Sequence, residues 1–93
     1  MIKSFADNRT KRIWKRQWVK SLPVKAQRVG LRKLFMLNHA ASLNDLGIPP
    51  GNHLKKLSGG RKGFWSIRIN NQFRICFRWH NGEALDVEIV DYH

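Results

Sequence analysis

The sequence predicts an α+β fold, a two-helix hairpin packed on a small antiparallel β-sheet. Three observations predict it. Apolar residues recur at helical spacing through the first forty positions, strict alternation takes over from His53 onward, and Pro49-Pro50-Gly51 separates the two regimes. With 93 residues the chain has room for one small domain, residues 1–93, and no second one. A chain this short buries only about 60–65% of its unfolded surface, so its core is thin.

The elements follow in order. Residues 1–5 read as a short strand, with Ile2 and Phe5 apolar around Lys3 and Ser4. Asp7 or Asn8 can cap a helix over Arg9–Val19, whose apolar members Ile13, Trp14 and Trp18 share one face among Lys11, Arg12, Lys15 and Arg16. Ser21-Leu22-Pro23 breaks that pattern and opens a second helix, because proline is tolerated in a first helical turn. This helix runs to about Asn38, with Val24, Val29, Leu31, Leu34, Phe35 and Met36 as its apolar set. Gly30 in its middle costs roughly 1 kcal/mol relative to alanine, which implies close packing, with the first helix as the expected neighbour. Ala40–Gly47 forms a short helical turn, and Ile48–Asn52 crosses between the halves, since two prolines rule out helix and central strand.

Leu54 and Leu57 frame a first strand, followed by a glycine-rich turn at Gly59–Gly63. In Phe64–Asn70, Trp65, Ile67 and Ile69 alternate with Ser66, Arg68 and Asn70. Asn70-Asn71 signals a hairpin, and Gln72–Trp79 sets Phe73, Ile75, Phe77 and Trp79 against Gln72, Arg74, Cys76 and Arg78. His80-Asn81-Gly82 turns the chain into a last strand carrying Leu85, Val87 and Ile89. The apolar side of this meander requires the helices as cover. Its other side, with Ser66, Arg68, Asn70, Gln72, Arg74 and Arg78, is expected to project into solvent. Arginine suits phosphate through bidentate geometry, so that face is a candidate phosphate surface.

Charge narrows the function classes. Eighteen Lys+Arg stand against six Asp+Glu, a formal net charge of +12. Residues 1–53 carry eleven Lys/Arg and two acids, and residues 54–93 seven and four. Such a field favours a polyanionic partner, nucleic acid ahead of an acidic protein. The longest uncharged run, Leu34–Asn44, is too short to span a bilayer, and the opening residues lack the apolar stretch of a signal peptide. A cytoplasmic protein with no membrane association is expected. The single cysteine, Cys76, excludes a disulfide framework and a cysteine-based zinc site, and reads as a packing residue inside a strand. The four histidines lack ligand spacing, so no metal and no cofactor are expected.

Asp91-Tyr92-His93 follows the last strand and brings together three groups able to move or orient a proton. Cleavage of RNA would need a base for the 2′-hydroxyl, cations for the crowded phosphate and an acid for the leaving 5′-oxygen. It would need no metal, because the 2′-hydroxyl already sits beside the phosphorus.

Several blocks together resemble a known family. They are Met1-Ile2-Lys3-Ser4-Phe5, Pro49-Pro50-Gly51-Asn52, the run from Leu57 to Asn70, Gln72-Phe73-Arg74-Ile75-Cys76-Phe77, and Val87 to His93. Over essentially the whole chain they resemble the plasmid-maintenance killer proteins of HigB type, toxins of the RelE/ParE superfamily. The resemblance implies a microbial-ribonuclease-like fold and ribosome-dependent cleavage of mRNA in the decoding site. It also implies neutralisation by a helix-turn-helix antitoxin of HigA type, with operator DNA bound only through the toxin–antitoxin pair. Arg74 matches the superfamily's phosphate-binding arginine, and Asp91, Tyr92 and His93 match the family ending. Lys55 falls where some relatives place a histidine, Ser58 where some place a lysine and Gln72 where some place an asparagine. Lys55, Lys56, Arg61 and Arg68 are the candidates for the remaining positive charge and for RNA binding.

The sequence therefore points to a metal-independent, ribosome-dependent mRNA endonuclease with Arg74, Asp91, Tyr92 and His93 at its centre. Two rivals share its features: a ParE-like inhibitor of DNA gyrase, and a non-enzymatic basic module that binds nucleic acid.

Overall fold

The computed structural model of the chain describes residues 1–61 and 63–92. Lys62 of the expected glycine-rich turn and the candidate residue His93 lie outside them. Three helices come first, α1 (Asn8–Trp14), α2 (Val24–His39) and α3 (Leu43–Gly47), then a 3-10 turn at Pro50–Asn52. Four strands follow, β1 (Lys55–Lys56), β2 (Phe64–Arg68), β3 (Phe73–His80) and β4 (Glu83–Asp91), with a second 3-10 turn at Gly59–Arg61. The strands form one antiparallel sheet in the order β1-β2-β3-β4, and the helices cover one of its faces. The predicted α+β arrangement is the one observed. No helix among the described residues is long and apolar enough to cross a membrane.

Asp7, rather than Asn8, caps α1, its carboxylate accepting from the Thr10 N–H at 3.1 Å. The helix stops at Trp14, well short of Val19, because Arg16 adopts φ 63°. The Arg16 N–H bonds the Ile13 carbonyl and the Gln17 N–H the Arg12 carbonyl, both at 2.9 Å, which closes the helix with a Schellman motif. Trp18 therefore leaves the helical face assigned to it and stands in solvent. The connecting segment is held by buried Gln27, whose amide accepts from the Val19 N–H and donates to the carbonyls of Val19 and Leu22 at 2.6–3.0 Å.

The buried stripe of α2 is Ala26, Gln27, Gly30, Lys33, Leu34 and Leu37. The expected apolar set spans too wide an arc for one face, so Val24 is exposed while Leu34 is enclosed. At Gly30 a Cβ would meet Ile69 Cδ1 at 3.3 Å and Ile89 Cδ1 at 3.5 Å. The missing side chain thus lets α2 approach the sheet, not the first helix. The core lies between these layers, with Leu34, Leu37, Ile67, Ile75, Phe77, Val87 and Ile89 fully enclosed.

Register follows the alternation: Ile67 pairs with Ile75 and Arg68 with Arg74, while Ile75 pairs with Ile89 and Cys76 with Glu88. A bulge in β4 around Asp86, at φ 52°, shifts the later pairs to Arg78–Leu85 and His80–Glu83. Asn81 and Gly82, both at positive φ, make the two-residue turn into β4. Residues 2–5 run parallel to β4 in isolated bridges, Ile2 to Ala84 and Phe5 to Val87. Farther along, the Ile89 N–H donates to Thr10 Oγ1 and its carbonyl accepts from Arg9, both at 2.9 Å. The outer edge of β4 is thus covered by the N-terminal segment and α1.

Candidate functional site

The site begins with Arg74 on β3. Alternation turns its side chain away from the helices, as expected, but it does not project freely. Its Nε donates to Ser66 Oγ at 2.8 Å, and its Nη2 donates to the His53 carbonyl at 2.6 Å. Ser66 on β2 is itself fully buried, as is Cys76 beside it, so the outward face is a folded-down surface rather than a solvated row. The arginine stem lies back across the sheet because two fixed oxygens, a hydroxyl and a carbonyl, satisfy its fork. Burial pulls the Arg74 guanidinium below the ordinary arginine range, and nearby Tyr92 opposes that pull.

Tyr92 follows β4, its backbone N–H donating to the Gln72 carbonyl at 2.6 Å. Tyr92 is 43% exposed. The Arg74 guanidinium carbon lies 6.0 Å from the ring centroid and Lys55 Nζ 5.6 Å from it. Lys55 arrives there because β1 pairs it with Ser66. Lys55, Lys56, Leu57, Ser58, Arg61 and Tyr92 line a shallow cleft of about 140 Å³. Lys56 also lies over Trp65 at 5.8 Å, and Arg61 over Phe64 at 5.6 Å with an ion pair to Glu88 at 3.3 Å. Arg74, Tyr92, Lys55, Lys56 and Arg61 are therefore gathered at one place.

Two sequence candidates stand apart. Arg68 is the cross-strand partner of Arg74, yet its guanidinium donates to the Asn71 side chain at the hairpin. The Asp91 carboxylate accepts from the Gln72 amide at 3.1 Å, and Asp91 pairs across the ladder with Phe73, whose side chain enters the core. Alternation thus assigns Asp91 and Tyr92 to opposite sides of the strand. His93 lies outside the described residues.

Sequence reading missed the residues that hold this cluster. Ser66 was one more polar member of an alternating strand, and His53 contributes only its carbonyl, presented by a backbone at φ 43° just after the Pro50–Asn52 turn. Lys33 on α2 also escaped the sequence reading: it is 5% exposed, its ammonium donating to the carbonyls of Gly51 at 3.0 Å and Arg68 at 2.5 Å. Burial first, then repulsion from Arg32, Arg68 and Arg74, lowers its pKa. Burial pushes the Cys76 thiol up, which suits a packing role and opposes thiolate chemistry.

Chemically the arrangement offers a guanidinium fixed in direction, a phenol between two cations and a cationic rim, the components that a phosphodiester and its pentavalent transition state require.

Known proteins share this fold and sequence. A family model described as "RelE-like toxin of type II toxin-antitoxin system HigB" matches residues 3–93. The chain is 43% identical over 65 residues to Toxin HigB-1 of Vibrio cholerae serotype O1, covering 70% of this chain and 68% of that one. It is 31% identical to Endoribonuclease HigB of Proteus vulgaris over the full length of both. Among solved structures, the YoeB-YefM complex from Staphylococcus aureus superposes with a TM-score of 0.62 over 100% of this chain and 98% of that one, at 15% identity, a likeness of fold. On the strength of a match that runs from residue 3 to residue 93 and a fold that agrees with it, the chain belongs to the HigB-like family of RelE-like toxins of type II toxin–antitoxin systems.

Proposed function

We propose that the chain is an endoribonuclease that cleaves mRNA in the decoding site of the ribosome and so inhibits translation. The observation that carries this reading is Arg74, a guanidinium bonded to Ser66 and His53 and lying beside the ring of Tyr92, which with Lys55, Lys56 and Arg61 lines a cleft. The name of the Proteus vulgaris relative, an endoribonuclease, supports it.

In the reaction, the 2′-oxygen attacks the adjacent phosphorus as its proton leaves to a base, and the P–O5′ bond breaks as an acid protonates the 5′-oxygen. A 2′,3′-cyclic phosphate and a 5′-hydroxyl result. Arg74 stabilises the charge that builds on the non-bridging oxygens. Tyr92, between the cations of Lys55 and Arg74, serves one proton transfer, and His93 is assigned the other from the family ending. Asp91 braces the strand end through Gln72 rather than contacting the phosphate. Lys56 and Arg61 attract the flanking phosphates, and Arg68 contributes to the field from the hairpin. No metal is required, since the nucleophile is internal to the substrate.

A cleft of about 140 Å³ is small beside a strand of RNA, and in this reading the ribosome supplies the splayed geometry that aligns the 2′-hydroxyl. Regulation follows the toxin–antitoxin pattern: a helix-turn-helix antitoxin of HigA type neutralises the chain, and the pair binds operator DNA through the antitoxin. Such a protein works in the cytoplasm. The purified chain should leave naked RNA nearly intact and cut the same message on programmed ribosomes. Equal cleavage of both refutes ribosome dependence, and cleavage of neither, with DNA gyrase inhibited, establishes the ParE-like rival.

A further inference from the structure

The helical layer carries a second surface that the cleavage chemistry leaves unused. Trp18 is 58% exposed, yet it stands beside Val19, which is buried and bonded through both its N–H and its carbonyl to the Gln27 amide. A large aromatic side chain is thus presented to solvent from an anchored segment. It borders a groove of about 270 Å³ between α1 and α2, lined by Ile13, Leu31 and Trp18 together with Arg16, Gln27 and Arg28. One helical turn beyond Leu31 the apolar surface continues to Phe35, which packs against Trp14 at 5.1 Å and lies under the Arg16 guanidinium at 5.0 Å.

The rim of this groove is cationic and uncompensated. Both ion pairs among the described residues, Arg61–Glu88 and Arg78–Asp86, join strands of the sheet or a turn beside it. The two carboxylates of residues 1–53, Asp7 and Asp45, are engaged at helix N-termini. Arg16 and Arg28, which line the groove, therefore flank an apolar floor without an ion pair among the described residues. A second copy of the chain would bring +12 against +12 and is repelled. An RNA backbone would answer the charge but leave Leu31 and Trp18 wet. The complement of both features is an amphipathic helix whose apolar residues sit one turn apart between acidic flanks.

We propose that this groove receives the antitoxin, through an acidic amphipathic helix that seats one large apolar side chain between Trp18 and Leu31. The inference rests on the toxin–antitoxin reading above and adds to it a location and a chemistry. Trp18 is the anchor, and Arg16 and Arg28 set polarity and salt dependence.

The test is calorimetric titration of the purified antitoxin encoded beside the chain into the parent protein and into Trp18→Ala, Trp18→Phe and Arg28→Glu, each checked for an unchanged thermal transition. Tyr92→Phe serves as a remote control. Trp18→Ala and Arg28→Glu should each weaken binding at least tenfold, Trp18→Phe should recover most of the loss, and Tyr92→Phe should bind like the parent. Parent affinity should fall as salt rises. Unchanged affinity in both groove variants overturns this inference while leaving the toxin–antitoxin reading intact. Failure of the parent to bind defeats that reading itself. Should Trp18→Ala and Arg28→Glu lose ribosome binding and keep antitoxin affinity, the groove faces RNA and the assignment is wrong.

Discussion

The Nε of Arg74 donates to the hydroxyl of Ser66 at 2.8 Å, and Ser66 has no solvent exposure with which to replace that partner. The bond couples a cation required by the proposed chemistry to the interior of the sheet. Changes at either end should therefore act on stability and catalysis in different proportions.

Arg74→Ala removes the phosphate cation and leaves the Ser66 hydroxyl and the His53 carbonyl without their donors. Loss of a preorganised charge donor should lower single-turnover cleavage on ribosomes by about 10²–10³-fold. The stranded acceptors should cost about 1–3 kcal/mol in urea unfolding. Arg74→Lys keeps the charge and loses the fork, so its folding should be closer to the parent than its cleavage rate is. A parent-like rate in Arg74→Ala would remove this residue from the mechanism.

Ser66→Ala reverses the emphasis. It deletes an acceptor buried beneath Arg74 while the guanidinium keeps the His53 carbonyl. The maximal cleavage rate should fall several-fold with ribosome affinity unchanged, because the cation is present but less firmly aimed. Ser66→Thr, which retains the hydroxyl, should recover part of the rate. Equal losses in rate and affinity would mean that the serine only fills space.

Tyr92→Phe retains the ring between Lys55 and Arg74 and removes the hydroxyl. If the phenol moves a proton, cleavage should fall by about 10²–10⁴-fold with the thermal transition unmoved. A rate near that of the parent would transfer the proton step to the lysines of the cleft.

Lys33 makes a prediction about pH. Burial and neighbouring arginines hold its pKa below the ordinary lysine value. Between the depressed and the ordinary value the unfolded chain binds more protons than the folded one, so stability rises with pH through that window. Below it both states are protonated and the cost of burying the charge is present in full. Urea unfolding of parent and Lys33→Met across the alkaline range should show the parent gaining on the variant as pH rises. Parallel curves would mean that the folded lysine titrates normally.

The fold was legible where side-chain period reports burial directly. Ile67, Ile75, Phe77 and Ile89 alternate in the sequence and are enclosed in the structure. The end of α1 was not legible, because it depends on Arg16 taking a left-handed backbone that no residue type there demands. The stripe of α2 was obscured because Gln27 and Lys33 occupy core positions, each satisfied by backbone carbonyls from segments distant in the helix pattern. At the site, Arg74 stood out by alternation and by its match to the superfamily's phosphate-binding arginine alike. Its restraints did not, since one is a carbonyl, and carbonyls carry no sequence signal. Asp91 read as a neighbour of Tyr92 along the chain, whereas pairing with Phe73 directs it to the other side of the strand.

The cover on the outer edge of β4 bears on how the protein comes into being. Ile2 and Phe5 bridge Ala84 and Val87, so the earlier residues of each pair wait for partners far along the chain before this edge can close. Closing a loop of this length carries an entropic cost that local helices do not meet. The helical layer can form early, but the sheet is incomplete until β4 arrives, and the Tyr92 side of the cleft arrives with it. Completion of the Tyr92 side of the cleft is thus tied to a pairing between residues far apart in the sequence, and local helix formation alone does not assemble it.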